Sequence, residues 1–272
     1  MQLPKMKKIC LYFQIHHPFS FQTFRFFDIG ESRSYYDDLR IEREIHEAVT
    51  NYYIPTIDFL LKLISQSKGQ LKLSFYISGT ALDQFLIYAP MVMNSFRLLA
   101  DTGQVEFIGG TASHSIASLA DNKEEFKRQI ELSRERIEYY FGQRPKVFVN
   151  TDLLFTTQIA KTIAEAGYRA IFTNGAKKFL QWRSPNFLYS NEDEPKVNIL
   201  FRNEGISNEF SHLLGNPEVL GKPEPMKQLF ATLKALGPEE PDQYLSQLHV
   251  IRRIWIGKQS FIFQKICFQN YS

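Results

Sequence analysis

Hydrophobic positions along the chain form short apolar runs that alternate with longer amphipathic stretches. The first run, Lys8–Pro18, has apolar residues on both faces of an extended segment. This is typical of a strand that is covered on both sides in a parallel sheet. Similar runs that end in turn or polar residues predict further strands. The predicted strands cover residues 8–16, 71–77, 105–109, 146–150, 169–173 and 197–202.

Between these runs, apolar residues recur with a spacing near 3.6, which indicates helices. The stretch from Arg43 to Ser67 follows this spacing but contains Pro55, so we expect a kink or a break there. The polar stretch Gly30–Arg40 before it is predicted to be a loop or a short insertion. The other predicted helices cover residues 81–88, 91–100, 124–141 and 156–166.

This alternation of strands and helices predicts an α/β fold with a parallel sheet and right-handed crossovers. Polar residues follow nearly every predicted strand, which favours a barrel with a functional rim at the carboxyl ends of its strands. An open, doubly wound sheet is the alternative. The sequence has neither a Gly-x-Gly-x-x-Gly fingerprint nor a phosphate-binding loop motif, so we expect no nucleotide or other cofactor.

Composition narrows the function classes further. The 272 residues are 44% hydrophobic, enough for one large domain or two small ones. The net charge of +3 comes without a basic block, so we expect no nucleic-acid partner. No run approaches the roughly 20 apolar residues of a membrane helix, so we expect no membrane partner. Cys10 and Cys267 form no metal-like cluster, and we expect a reducing, cytoplasmic location. Oligomeric state does not follow from the sequence.

Polar side chains at the predicted strand ends are the candidate functional residues. Because parallel strands end at the same edge of a sheet, these side chains should meet at one rim. The alternatives are structural: the sequence Asn150-Thr151-Asp152 is also suited to cap a helix, an isolated histidine is usually structural, and Glu106 could point into the barrel. The candidates are His16, His17, Ser78, Glu106, His114, Asn150, Asp152 and Asn174.

A tryptophan in the loop after the fifth predicted strand is a further candidate. Trp182 lies in the segment Trp182–Pro185 and could form a platform on which a sugar ring stacks. The structural alternative is that Trp182 clamps this loop to the core. Both interpretations are open on the sequence alone.

Several short motifs, taken in order, resemble segments of glycoside hydrolase family 57. His16-His17-Pro18 is similar to the family's His-Gln-Pro motif, with His17 in place of Gln. Gly103-Gln-Val-Glu106 is similar to its Gly-x-x-Glu motif. Phe148-Val-Asn-Thr-Asp-Leu153 resembles the motif Phe-Arg-Asn-Thr-Glu-Leu, in which the Glu is the nucleophile. Ser78–Leu82 and Trp182–Asn186 also resemble family segments.

The resemblance extends from about Lys8 to about Phe210 and is strongest to α-amylases and α-amylase-like members. It implies an incomplete (β/α)7 barrel with TIM-like parallel strands and an α-glucan or oligosaccharide as substrate. It also implies a retaining mechanism in which one carboxylate attacks the sugar and another donates a proton. The resemblance places Asp152 at the nucleophile position. Taken together, the rim argument and the resemblance predict that the substrate-binding residues are His16, His17, Glu106, His114, Asn150 and Trp182.

The tail after Gln247 does not match the family's acid/base motif, roughly Met-Asp-Tyr-Glu-Thr. We therefore expect residues 1–247 to form a partial catalytic barrel, truncated before its last strand, followed by a divergent or frameshifted tail over residues 248–272. Trp255 is encoded only by TGG and the codon of Ile256 begins with AT, so reading two nucleotides later forces an Asp codon at this junction. An ordinary divergent tail is the alternative.

These features predict an α-glucan hydrolase by descent that is inactive in this chain. Asp152 is one methylene shorter than the family's Glu, and the tail supplies no acid. The alternatives are a carbohydrate-binding pseudoenzyme and a metal-dependent polysaccharide deacetylase, in which His16, His17 and Asp152 could hold the metal. The deacetylase signature Thr-Phe-Asp-Asp is absent. A missing last strand would leave an open sheet edge, so we expect a low soluble yield.

Overall fold

The computed structural model describes residues 8–28, 30–31, 35–69, 71–175, 177–205, 207–208 and 245–251. Eight strands lie within these ranges, and all six predicted strands are among them. Their bounds are β1 Lys8–Ile15, β2 Leu73–Ile77, β3 Val105–Phe107, β4 Val147–Val149, β5 Ala170–Thr173, β6 Leu188–Ser190, β7 Asn198–Phe201 and β8 Leu245–Ile251.

The strands form two parallel sheets that a single bridge joins into one curved surface. The hydrogen-bonded orders are β3-β2-β1-β8 and β4-β5-β7-β6, and only β6 runs antiparallel to its neighbour. The Gly109 amide donates to the Val147 carbonyl at 3.0 Å, and the Val149 amide donates back to Gly109 at 2.8 Å. A Cβ atom at Gly109 would lie 2.2 Å from the Tyr168 hydroxyl, so this close approach requires glycine.

The edge of the sheet at β1 was expected to be open, but in the structure β8 pairs with it. Leu245–Ile251 runs parallel to β1, with register pairs from Lys8↔Leu245 to Gln14↔Ile251. The predicted boundary at Gln247 therefore falls inside β8. The low soluble yield was expected because this edge of the sheet was predicted to be open, but β8 covers it. Among the described residues, β6 and β8 do not pair with each other, which makes the barrel incomplete. The remainder of the tail, residues 252–272, lies outside the described residues.

Seven α-helices flank the strands in the described ranges. At the predicted kink or break near Pro55 the backbone stays helical: a π-helical turn over Val49–Tyr53 lies between α1 and α2, and Pro55 lies in the first turn of α2. The chain becomes helical earlier than expected, since the Asp37 side chain caps α1 by accepting from the Arg40 amide at 3.1 Å. The bounds are α1 Asp38–Ala48, α2 Ile54–Gln66, α3 Gly79–Tyr88, α4 Pro90–Asp101, α5 Glu124–Phe141, α6 Thr157–Glu165 and α7 Lys177–Leu180.

The hydrophobic core has two layers, one inside the barrel and one between strands and helices. Inside the barrel, Tyr12 on β1 stacks on Phe172 on β5 with ring centroids 4.9 Å apart, which closes the curved sheet across its interior. The interior cluster comprises Tyr12, Tyr76, Ile108, Val149, Leu153, Ala170, Phe172 and Leu200. Two outer clusters pack α1–α5 against β1–β3 and α5–α6 against β4, β5 and β7.

Membrane insertion through a helix has no support in the part of the chain that the structure describes. None of its helices combines the length and the apolar character that a membrane crossing requires.

Candidate functional site

Four consecutive strand ends bring His16, Ser78, His114 and Asp152 to the carboxyl rim of the barrel. His16 follows β1, and its Nδ1 lies 2.9 Å from Ser78 Oγ, which follows β2. Nδ1 of His16 is also 3.3 Å from Oγ1 of Thr80. The ring of His114, from the loop after β3, lies 4.4 Å from that of His16 between centroids. The structure therefore brings His16 and His114 together, as the sequence predicted.

The ring of His114 is held by polar partners on both sides. Its Nε2 lies 3.2 Å from the side-chain amide nitrogen of Gln14, and its Nδ1 lies 3.3 Å from the Tyr76 hydroxyl. His114 has a φ of 52°, a left-handed conformation that is uncommon for a residue other than glycine. A strained backbone that the surrounding bonds maintain is typical of a functional position.

Asp152 lies in a tight turn directly after β4. Its φ is 51° and that of Leu153 is 58°, so two successive residues adopt left-handed conformations. Each such residue costs about 1–2 kcal/mol, which the surrounding structure has to offset. The Asp152 side chain is exposed, whereas Leu153 is buried in the barrel interior. The turn thus drives Leu153 into the core and leaves the Asp152 carboxylate accessible at the rim.

Asn150 is the residue that holds this turn. It is buried, its Oδ1 accepts from the Thr151 amide at 3.0 Å, and its Nδ2 donates to Ser118 Oγ at 2.9 Å and to the Leu154 carbonyl at 3.0 Å. The side-chain amide of Asn150 therefore makes all three hydrogen bonds to groups of the protein itself. Asn150 was predicted to bind substrate, but the structure shows it as a support for the Asp152 turn.

Thr151 connects the Asp152 turn to the loop that carries His114. Its hydroxyl donates to the Ser115 carbonyl at 2.8 Å and lies 3.2 Å from the hydroxyl of Thr111. The loops after β3 and β4 are therefore joined by side-chain hydrogen bonds between buried groups. The sequence carries no signal for this contact, since both threonines lie in short segments between strands and helices where no periodic pattern exists.

The prediction that His17 lines the rim is wrong, because its side chain lies in the core. Its Nε2 is 2.6 Å from the Tyr53 hydroxyl, and its ring packs against Tyr53 and Phe85. Burial, and to a lesser extent the neighbouring His16, lowers the pKa of His17 to about 3, so the ring is neutral. Adjacent residues that follow the strand's direction point to opposite faces, which separates His16 from His17.

Glu106 is also not at the rim, contrary to the prediction. It pairs in register with Ser74, four residues before Ser78, which is about 13 Å along the strand at 3.3 Å per residue. Desolvation raises the pKa of the partly buried Cys10 thiol, and the carboxyl group of Glu106 adds to this shift. Partial desolvation raises the pKa of Glu106 itself, and Lys146 opposes this shift. Glu106 therefore belongs to the amino-terminal part of the sheet.

Trp182 is 86% exposed, which excludes the alternative that it clamps its loop to the core. The guanidinium of Arg183 lies 5.7 Å from its ring centroid. The ring is therefore available for stacking, but the structure does not connect Trp182 to the His16–Asp152 rim. Gln14 and Tyr76, which hold His114, were missed as site residues. Strand alternation was the available signal, since Gln14 shares the face of His16 on β1.

The positions of His16, His17 and Asp152 argue against a metal-dependent deacetylase. In the ranges that the structure describes, no three or more His, Cys, Asp or Glu side chains are grouped so that they could hold a metal ion. The set proposed from the sequence fails because His17 faces the core while His16 and Asp152 are at the rim.

Comparisons with known proteins bear on the fold and on the family of the chain. A protein of Methanocaldococcus jannaschii described as "Putative alpha-amylase" is 38% identical over 175 residues, 64% of this chain and 37% of the relative. The solved 4-alpha-glucanotransferase of Thermococcus litoralis has a TM-score of 0.66 at 18% identity, over 89% of this chain and 33% of that structure.

The GH57-type branching enzyme of Pyrococcus horikoshii has a TM-score of 0.65 at 13% identity, over 90% of this chain and 63% of that structure. At these identities the two structures establish the shared barrel fold. The chain spans about a third to two thirds of the length of these proteins. The sequence model of glycosyl hydrolase family 57 matches residues 10–251. The chain therefore belongs to glycosyl hydrolase family 57.

Proposed function

We propose that this chain is the barrel portion of a retaining, α-glucan-active glycoside hydrolase and that Asp152 occupies the position of its nucleophile. The observation that carries the proposal is the turn after β4, where the family's nucleophile motif ends in an exposed carboxylate on a strained backbone. The similarity to a relative described as an α-amylase supports the substrate class. His16 and His114 are polar side chains at the same rim, in contact with each other.

A retaining mechanism requires a second carboxylate about 5 Å from the nucleophile to act as acid and then as base. The segments 16–18, 78–80, 108–116 and 150–156, which follow β1 to β4, contain no acidic residue other than Asp152. Glu204 follows β7, but it lies in no segment that resembles the family's acid/base motif. The segment 248–272 contains neither Asp nor Glu. General acid assistance contributes about 100- to 10,000-fold to the rate. We therefore propose that the 272-residue chain does not hydrolyse α-1,4-glucans at a measurable rate.

The shorter side chain of Asp152 adds to this loss. Compared with Glu, the carboxylate of Asp152 is withdrawn by about one bond length, and misplacement by about 1 Å can cost about 100-fold in rate. Asp152→Glu alone should not restore hydrolysis, because it supplies no acid. A variant that combines Asp152→Glu with a tail translated two nucleotides later adds the longer carboxylate and one Asp at the junction of Trp255 and Ile256.

The test is reducing-sugar release from amylose and maltopentaose by the purified chain, compared with Asp152→Glu and Asp152→Asn. We expect no release from any of the three. If the wild-type chain turns over substrate and Asp152→Asn abolishes the activity, Asp152 is the nucleophile and an acid outside the named segments acts with it. Release that persists in Asp152→Asn contradicts the assignment of Asp152.

The second candidate is a carbohydrate-binding pseudoenzyme, which shares the rim but does not depend on turnover. The exposed carboxylate of Asp152 and the exposed ring of Trp182 favour it as an outcome for a chain without an acid. Titration calorimetry with maltopentaose distinguishes the two proposals. Binding without hydrolysis supports the pseudoenzyme, and absence of both excludes an α-1,4-glucan as ligand.

A further inference from the structure

A continuous set of hydrogen bonds connects the barrel interior to the ring of His114. The Tyr12 hydroxyl donates to Gln14 Oε1 at 2.9 Å, and Gln14 Nε2 lies 3.2 Å from His114 Nε2. On the other side of the ring, Nδ1 lies 3.3 Å from the Tyr76 hydroxyl, which donates to the Thr111 carbonyl at 2.8 Å. Both ring nitrogens of His114 therefore have a polar partner, and each partner constrains where the ring proton lies.

The Tyr76 side of the ring requires a proton on Nδ1. The hydroxyl of Tyr76 has a single proton, and the Thr111 carbonyl can only accept a hydrogen bond. The proton therefore lies in the 2.8 Å contact with Thr111, and the hydroxyl oxygen accepts from His114 Nδ1. Burial raises the pKa of the Tyr76 phenol, which consequently keeps its proton near neutral pH.

The contact with Gln14 indicates the same tautomer of His114 from the other ring nitrogen, Nε2. Because Oε1 of Gln14 accepts from the Tyr12 hydroxyl, the amide presents its NH2 group to His114. An NH2 group only donates, so Nε2 of His114 has to accept with its lone pair and carries no proton. Burial also raises the pKa of the Tyr12 phenol, which keeps it a donor.

We propose that Tyr12, Gln14 and Tyr76 are positioning residues that hold His114 as the neutral tautomer with its proton on Nδ1. A second proton on Nε2 would point at the Gln14 amide hydrogens. The ring that lies 4.4 Å from His16 is then neutral, so it adds no like charge beside His16. Both nitrogens of His114 are engaged within the protein, which means that His114 does not replace the missing acid.

This tautomer depends on the geometry alone and stands even if the proposed glucan substrate is wrong. The test is nitrogen NMR on the full chain labelled with 15N-histidine, at about pH 8, above the usual histidine pKa. The chain has six histidines, and the signals that disappear in His114→Asn identify the ring. Asn is chosen because it tolerates the left-handed backbone that His114 adopts at a φ of 52°. We expect a protonated Nδ1 and an unprotonated Nε2.

A wild-type His114 with a protonated Nε2 overturns the proposal, and this measurement requires no folded variant beyond the assignment. If His114→Asn does not fold, the ring is assigned from its proximity to Tyr76 ring protons in the wild-type chain.

Gln14→Glu identifies the residue that sets the tautomer. A carboxylate only accepts, so Nε2 of His114 should become protonated in this variant. Gln158→Glu is the matched control, since it adds the same charge at an exposed position of α6 and should leave the His114 signals unchanged. An unprotonated Nε2 in folded Gln14→Glu, or an equal change in Gln158→Glu, contradicts the role of Gln14.

Discussion

The turns after β1 and β4 both present a polar side chain at the same rim, but they orient it by different means. After β1, His16 continues the alternation of the strand and shares its face with Gln14, while His17 turns to the opposite face. After β4, the direction of Asp152 depends on a left-handed backbone with a φ of 51°, which no alternation predicts. Side-chain periodicity is thus informative only as far as the extended backbone continues.

The largest expected effect sharpens the contrast between His16 and His17. The pKa of His17 is about 3 in the folded chain, below its ordinary value of 6.5, so the unfolded chain binds a proton that the folded chain excludes. Stability is therefore lost as pH falls from about 6.5 towards 3, by about 1.4 kcal/mol for each pH unit. Between about pH 7 and pH 4, the titration of His17 should lower the free energy of unfolding measured in urea by roughly 3 kcal/mol.

His17→Gln should reduce this pH dependence, because it removes the titrating ring. The control is His46→Gln, which changes an exposed histidine on α1 and should leave the dependence intact. An unchanged pH dependence in His17→Gln would mean that His17 is not held neutral in the folded chain.

The next effect tests whether side-chain hydrogen bonds hold the turn after β4. Asn150→Ala removes three bonds and leaves buried partners unsatisfied, so we expect a loss of about 2–3 kcal/mol in the free energy of unfolding. Asn94→Ala, on the exposed face of α4, is the control and should cost less than about 0.5 kcal/mol. Chemical denaturation measures both, and equal losses would contradict the role of Asn150.

A smaller effect of opposite sign tests the strain at Asp152 directly. Asp152→Gly should raise the free energy of unfolding by about 0.5–1 kcal/mol, because glycine adopts a positive φ without steric cost. Asp121→Gly should instead lower stability, since Asp121 is exposed and is not among the residues with a positive φ. Thermal unfolding of Asp152→Gly and Asp121→Gly measures both changes in stability. A destabilised Asp152→Gly would argue that side-chain contacts outweigh the backbone strain.

The smallest expected effect on stability lies outside both turns. Trp182→Ala should change the free energy of unfolding by less than about 0.5 kcal/mol, because the side chain is 86% exposed. If Trp182 forms a sugar platform, the same variant should weaken maltopentaose binding by about 5- to 10-fold, on the scale of one aromatic stacking contact. Calorimetry on Trp182→Ala and Trp182→Phe measures this. Unchanged binding in both would leave Trp182 without a role in the site.

The regular elements of the fold were predictable because their burial is regular. Strands that are covered on both faces appear as apolar runs, and the irregular π-helical turn before Pro55 agrees with the missing amide hydrogen of proline. The antiparallel strand β6, Leu188–Ser190, was not predicted because it is short, partly exposed and lies at a sheet edge. The start of α1 was placed too late because the cap at Asp37 lies in a polar stretch without periodicity.

The sequence by itself determined the α/β class, the positions of six strands along the chain and the placement of His16, His114 and Asp152 at one rim. It could do so because these properties depend on local periodicity and on the rule that parallel strands end at one edge. Only the tertiary structure decided that His17 is a core residue, that Glu106 lies about four residues below the rim and that Asn150 supports the Asp152 turn. These outcomes depend on strand register, on left-handed backbone and on partners distant in sequence, which no local pattern encodes.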